Sequence, residues 1–325
     1  MQDLLYPMQL SRTLSPRLWG GGRLLPFLGL PDPGGAEPVG ESWQVFGGNE
    51  VQNGRWAGRT LAEVAEVLEA DLLGEKSISS YGSRVPLLAK FIDAGSQLSI
   101  QVHPDDAFAA KREAASGHLG KEEAWLVLEA VPGARIVWGF DRKVGPDEVR
   151  KAIRCGTLEG LVREFEVAPG DVILNPPGTV HAVGAGIFLF EIQQSSDLTY
   201  RLYDFGRRDA CGRLRELHLD RALEVATLEP AGRPRVETRP RPDGWTELVQ
   251  TPRLVLLMRR VVGTVEVSTR PESLELLTVT SGELRLEAGP HTLAIVRGGS
   301  VVLPARLGPY RLSGAGTVLR AGVVL

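Results

Sequence analysis

Apolar and polar residues exchange along this chain in short bursts. The segments SWQVF (42–46), AKFIDA (89–94), LSIQVH (98–103), AWLVLEA (124–130), ARIVWGF (134–140), DVILNPP (171–177), FLFEIQQ (188–194) and TYRLYDF (199–205) are apolar or alternating runs, separated by Gly, Pro and Asp at close intervals. Runs of this length with frequent turn residues predict a mainly β protein, a sandwich or a barrel. Helical periodicity is confined to four places. In RTLAEVAEVLEADLLG (59–74) the Thr60 hydroxyl can cap a helix whose apolar stripe is Leu61, Val64, Ala65 and Leu68. The other three are 104–114, 145–156 and 216–228, so helices are accessories to the sheets.

From Glu229 to Gly244 the composition shifts to EPAGRPRVETRPRPDG, rich in Pro and Arg, which reads as a linker. The β-rich segment beyond it repeats part of the first. Gly170–Ile192 and Gly298–Gly322 share one order: a Gly-led strand, a Pro-containing turn, a short strand, a Gly-Ala-Gly turn and a strand. Two copies of one barrel unit are therefore expected, over 1–228 and 245–325, joined by 229–244. The copies differ at one telling position. Where the first has His181 the second has Pro309 or Tyr310, and His291 sits in a GPH turn expected at the surface. Any chemistry belongs to the first copy, with the second a metal-free scaffold.

The 325 residues carry 37 basic and 40 acidic side chains, a formal net charge of -3, with no basic stripe or acidic tail. Nucleic acid and anionic membrane are therefore not expected partners. No apolar run reaches the roughly 18 residues of a spanning helix, and the first thirty residues hold no signal-type run. The expectation is a soluble, cytoplasmic protein. Cys155 and Cys211, with no metal-type spacing and no disulfide framework, agree with a reducing compartment. Only six lysines occur, at 76, 90, 111, 121, 143 and 151, so a lysine beside a candidate site is informative.

The candidate chemistry begins in LSIQVHPDD (98–106). As a strand it aims Ser99, Gln101 and His103 to one side and Leu98, Ile100 and Val102 to the other. A half-exposed strand explains this equally. Two further segments converge with it in the first copy: GKEEAW (120–125) with Glu123, and the rigid PPGTVHAVGAG (176–186), which delivers His181 at the start of a strand. Two imidazoles, a carboxylate and one more donor, with a position for water, suit zinc or a similar divalent ion. Taken singly, each His reads more readily as a structural residue with a local partner.

These segments, together with LWGGGRL (18–24), GESWQV (40–45) and GDVILNPPGTVHAVGAGIFLFEIQQSSDLTYRLYDFGR (170–207), closely resemble the short bacterial form of the type I mannose-6-phosphate isomerases. The resemblance implies a zinc-dependent enzyme of two cupin-type (jelly-roll) barrels that interconverts mannose 6-phosphate and fructose 6-phosphate. It implies Gln101, His103, Glu123 and His181 as metal ligands and Lys121 as a pocket lysine and proton carrier. Lys90 and Ser99 fall at positions near the substrate or its phosphate, and Asp197 and Arg201 at the reacting end. Glu191 lies opposite Phe188, Phe190 and Ile192 on its strand, hence on the polar side. Long-form members commonly have a histidine before the lysine equivalent to Lys121. This chain has Gly120, so that histidine is not its base, and 139–164 has room for only about two short helices. The pocket should be more open.

An aldose and its 2-ketose exchange protons between C2 and C1 and between O1 and O2 through an enediolate. A divalent ion stabilises the developing charge, and a base of moderate pKa must reach the carbon-bound proton. Lys121 beside a dication, Glu191 and Asp197 are the candidates, and Arg201 can hold the enediolate or the phosphate. Two other readings remain open at this level: a metal-dependent cupin of another class, such as an iron dioxygenase, and a non-enzymatic sugar-binding cupin. The partner is a small sugar phosphate in the favoured reading, and the oligomeric state is not specified.

Overall fold

The computed structural model describes residues 4–35, 37–115, 117–208 and 211–324. All eight apolar runs fall in strands, and among the described residues the strands form three antiparallel sheets. The fold is mainly β with several sheets, as expected of a cupin-like protein. A six-stranded sheet runs Thr13–Pro16, Val39–Val45, Leu87–Ala94, Ile187–Gln194, Glu123–Ala130, Val172–Asn175. A five-stranded sheet runs Tyr200–Tyr203, Ile100–Val102, His181–Val183, Arg135–Phe140, Val162–Glu166. Ile92, Trp125, Val127 and Leu189 from the first sheet meet Ile136 and Val183 from the second in one apolar cluster.

The strand Ile187–Gln194 is buried along its whole length. Burial on both faces is why its sequence is nearly continuous in apolar residues rather than alternating. Phe188, Phe190 and Ile192 face a second cluster that includes Leu61, Val64 and Leu68 of a helix and Leu254, Leu276 and Val302 of the C-terminal sheet. Leu189 and Glu191 point the other way, toward the five-stranded sheet.

The helix Leu61–Leu68 starts at Thr60, whose hydroxyl accepts from Glu63 N while the Glu63 carboxylate accepts from Thr60 N. The expected single helix over 59–74 is in fact broken. Glu69 adopts φ 43°, and a second piece, Ala70–Leu73, turns Leu72 and Leu73 into the core. Asp105 caps Asp106–Arg112, and Pro146 with left-handed Gly156 brackets Pro146–Cys155. A single 3-10 turn, Leu158–Gly160, follows, so 139–164 holds little more than one helix. The short helices Leu24–Leu28 and Glu75–Tyr81 have no periodic signature in the sequence.

The third sheet has eight strands, and its first is Met8–Gln9, which pairs with Ser300–Leu303. Its centre is a ribbon of three 14-residue strands, Val255–Ser268, Glu275–Ala288 and Pro309–Gly322. Here the repeat departs from expectation. Gly184-Ala185-Gly186 precedes Ile187 as a turn, but Gly314-Ala315-Gly316 lies inside the last long strand. The glycines serve close backbone approach instead: Gly282 has φ 73°, and a Cβ there would lie 2.0 Å from Ala315 O. His291 also differs from expectation. It is half-buried, with its ring 5.3 Å from that of Tyr6.

Replacing Gly282 by Ala should lower stability by about 2–4 kcal/mol, since left-handed backbone and overpacking act together. Urea denaturation measures this; a loss under about 0.5 kcal/mol, the range of an unstrained surface change, would show that the ribbon adjusts freely.

Candidate metal centre

Gln101 stands directly across the ladder from His181, the first residue of its strand. The turn Pro176-Pro177-Gly178 fixes where that strand begins. Thr179 N donates to Pro176 O, and Gly178 N donates to His103 O at 2.8 Å, so the two histidine-bearing segments are tied together. Ile100 and Val102 pack away from the site, against Val149, Ile153 and Ala222 of two helices. Leu98 does not join them, contrary to the alternation expected of 98–103. Ladder pairing starts only at Ile100, and Leu98 turns into the inner cluster with Trp19 and Ile92.

Glu123 opens its strand in the opposite sheet and is fully buried. His181 Nε2 lies 3.1 Å from Glu123 Oε1 and His103 Nε2 lies 3.5 Å from Oε2. The three ligand atoms fall within 4.8 Å of one another. His103 Nδ1 bonds to Leu198 O at 2.9 Å and His181 Nδ1 to Thr179 O at 2.8 Å. A backbone carbonyl only accepts, so each ring carries its proton on Nδ1 and turns the bare Nε2 lone pair toward the carboxylate. Burial, then Lys121, pushes His103 down to about 3, against the opposing pull of Glu123, so this imidazole is neutral. Burial opposes the charge of Glu123, yet Lys121 holds its carboxyl well below the usual range.

His103 Nε2 and Glu123 Oε2 are buried without a hydrogen-bond partner. Lys121 Nζ approaches Glu123 Oε2 at 2.9 Å as an ion pair. Two imidazole Nε2 atoms and a carboxylate converging on one point fit a divalent ion, with carbonyl groups orienting the rings from behind. The amide of Gln101 is 3.4 Å from His181 Nε2. Presented through Oε1, it adds a fourth donor.

The centre opens into a cavity of about 300 Å³, the lower end of the size of small-molecule sites. Gln101, Lys121, Ser99, Lys90, Glu191, Asp197 and Arg201 all line it. Lys90 Nζ is 2.9 Å from Glu191 Oε1, and Trp125 Nε1 donates to Glu191 Oε2 at 2.7 Å. These are direct cross-strand neighbours: Glu191 faces Lys90 on one side and Trp125 on the other. Burial, then the charge of Glu123, raises the Glu191 carboxyl against the pull of Lys90.

The comparisons with known proteins agree with this geometry. Residues 8–123 match phosphomannose isomerase type I, catalytic domain. Over 321 residues the chain is 35% identical to the mannose-6-phosphate isomerase of Streptococcus mutans, covering 95% of each. It is 34% identical over 314 residues to the mannose-6-phosphate isomerase ManA of Bacillus subtilis, covering 95% of this chain and 96% of that protein. The chain belongs to the type I phosphomannose isomerases. The crystal structure of the Bacillus subtilis mannose 6-phosphate isomerase matches with TM-score 0.85 at 32% identity, covering 97% of this chain and 99% of that one.

Within this phosphomannose isomerase the space around Lys121 explains the glycine that precedes it. A Cβ on Gly120 would lie 2.4 Å from Asp106 N, and Gly120 N donates to Asp106 Oδ1 at 3.0 Å. No histidine fits there. Asp197 and Arg201, four residues apart, do not pair. Asp197 is exposed at the cavity, whereas Arg201 donates from Nε to Ser99 Oγ at 3.2 Å and from Nη1 to Glu216 O at 2.9 Å.

Sequence reasoning missed Arg17, Glu41 and Arg215, which also line the cavity. Glu41 accepts from Arg17 Nε at 3.1 Å and Trp43 Nε1 at 2.7 Å, and lies 4.0 Å from Lys90 Nζ. Arg17, Glu41, Lys90 and Glu191 thus form a row of alternating charge. The only signal was that Arg17 adjoins LWGG and Glu41 lies within GESWQV. Burial opposes ionisation of Glu41, but Lys90 and Arg17 hold it at about 2, below its ordinary 4.5. A depressed carboxyl stabilises the fold above pH 4.5, and the gain is lost as pH falls toward 2. The stability difference between the protein and Glu41→Gln should therefore shrink by on the order of 3 kcal/mol between those pH values. Urea unfolding of both across that range checks this; a pH-independent difference rules it out.

Proposed function

We propose that this chain interconverts mannose 6-phosphate and fructose 6-phosphate at a zinc ion held by Gln101, His103, Glu123 and His181. The observation that carries the reading is a pair of imidazoles aimed at one buried carboxylate, on the wall of a cavity lined by lysines, arginines and a buried glutamate whose carboxyl is raised. Imidazole donors favour zinc over magnesium. Two cupin-type barrels, the catalytic one within 1–228 and a metal-free one over 245–325 beyond the 229–244 linker, are the architecture that fits this reading. The compartment is the cytoplasm, in keeping with two cysteines, Cys155 and Cys211, that make no disulfide framework; no described helix is long and apolar enough to cross a membrane.

When bound, the ion supplies a Lewis acid that stabilises negative charge on the sugar oxygens. Glu191 is the base: a buried carboxyl with a raised pKa can take the carbon-bound proton and return it to the neighbouring carbon. Lys90 steadies Glu191, and Trp125 fixes the orientation of its carboxylate. Lys121, held by Glu123, is placed to carry a proton between oxygens. Asp197 is an exposed acid at the cavity edge. Ser99 accepts from Arg201 and so aims the guanidinium into the cavity, where it can stabilise the enediolate.

A coupled assay for fructose 6-phosphate formation should detect turnover. Chelation should abolish it and zinc should restore it better than magnesium; full turnover after verified metal removal would sink the zinc reading. Arg201→Ala should lower kcat roughly 10²-fold or more with little rise in KM, and Arg201→Lys should rescue little. An unchanged kcat with a large rise in KM would move Arg201 to the phosphate.

A further inference from the structure

The catalytic segment 120–123 is gripped from behind by the C-terminal part of the chain. Glu122 lies between Lys121 and Glu123, so in extended backbone its side chain points the opposite way. That side chain is 6% exposed, and its Oε1 accepts from Thr251 Oγ1 at 2.5 Å. Thr251 Oγ1 in turn accepts from Arg253 N and Leu254 N, both at 3.1 Å, which closes the loop before the strand Val255–Ser268. Arg253 Nε donates to Asp106 Oδ2 at 3.0 Å. Asp106 Oδ1 accepts from Gly120 N and from Gln194 Nε2, each at 3.0 Å, and Gln194 Oε1 accepts from Glu122 N at 2.9 Å. The circuit is closed: it meets the catalytic segment at Gly120 and Glu122, the two neighbours of Lys121, and Thr251 and Arg253 join it from the C-terminal part of the chain.

We propose that Thr251 and Arg253 are positioning residues, which set the directions of Lys121 and Glu123 by clamping Glu122 and Gly120. The loop is thereby more than scaffold. Rotating the backbone at Glu122 would swing Lys121 and Glu123 together, and a catalytic group displaced by about 1 Å loses up to 10²-fold in rate. Outer groups that orient metal ligands are worth 10–100-fold in affinity or activity. The proposal rests on Lys121 and Glu123 being working groups, as proposed above.

The test combines zinc titration of the metal-free full-length chain by calorimetry with steady-state kinetics on mannose 6-phosphate. Thr251→Val should weaken zinc binding and lower kcat, each about tenfold or more, with KM within about twofold. Thr251→Ser, which keeps the hydroxyl, should restore both, and Arg253→Ala should act in the same direction as Thr251→Val. Arg306→Ala serves as control. It cuts another bridge from the C-terminal part, to Asp71 and Glu75, without touching 120–123, and should leave zinc affinity and kcat unchanged. Wild-type zinc affinity and kcat in Arg253→Ala and in folded Thr251→Val would overturn the proposal, whatever the melting temperature. So would an equal loss in Arg306→Ala, which would mark a general interface effect. If Thr251→Val does not fold, Arg253→Ala decides. If the wild-type chain fails to turn over the sugar phosphate, the proposed function falls and the zinc titration alone judges the clamp.

Discussion

Glu123 keeps its charge in full burial because Lys121 pairs with it at 2.9 Å, and the rest of the site depends on that pairing. An isolated buried carboxylate would take up a proton, since removing a charge from water costs several kcal/mol even after relaxation. Once Glu123 is held ionised, its charge acts on its surroundings. It adds to burial in raising Glu191, and it joins Glu191 and Glu41 in raising Lys90 against the effect of burial. The row from Arg17 through Glu41 and Lys90 to Glu191 then lets four charges share a low-dielectric wall, each beside an opposite sign.

That wall is possible because the six-stranded sheet is covered on both sides. Its outer face packs against the helix Leu61–Leu68 and the C-terminal sheet, so the strand Ile187–Gln194 is rigid before any polar residue is placed on it. Leu189 and Trp125 anchor the inner face on either side of Glu191. Lys90 and Glu191 therefore stand on ladder positions rather than loop tips, and a strand offers tighter positional control than a loop. Arg201 belongs to a short strand, Tyr200–Tyr203, on the opposite sheet. Glu191 and Arg201 thus line the cavity from two different sheets.

Much of this was legible in the chain. Alternation in Ser99, Gln101 and His103, and the placement of Glu191 against Phe188 and Phe190, follow from a period of two, and the structure keeps both. What escaped were features that depend on partners distant in sequence. Leu98 breaks its pattern because ladder pairing begins two residues later. Glu69 ends a helix whose periodicity continues, since burial of Leu72 and Leu73 outweighs an unfavourable φ. Glu41 reads as an ordinary strand residue until Arg17 and Lys90 are seen on either side of it, 24 residues before and nearly fifty after. Gly314-Ala315-Gly316 has the composition of a turn, yet it lies in a ribbon where long strands approach closely.

The two halves of the molecule also show how a working interior differs from a merely charged one. Beyond the linker, Glu275 and Arg320 are buried together, the guanidinium donating to both carboxylate oxygens at 2.8 and 2.5 Å. Tyr310 Oη donates to the same carboxylate at 3.2 Å, and Trp245 covers the arginine at 5.6 Å. That carboxylate and guanidinium are satisfied by each other and by Tyr310, so the pair serves packing and register. In the N-terminal part, His103 Nε2 is just as deeply buried and remains without a hydrogen-bond partner, and Glu123 Oε2 has only its ion pair with Lys121. A protein tolerates such lone pairs where something outside the chain completes them.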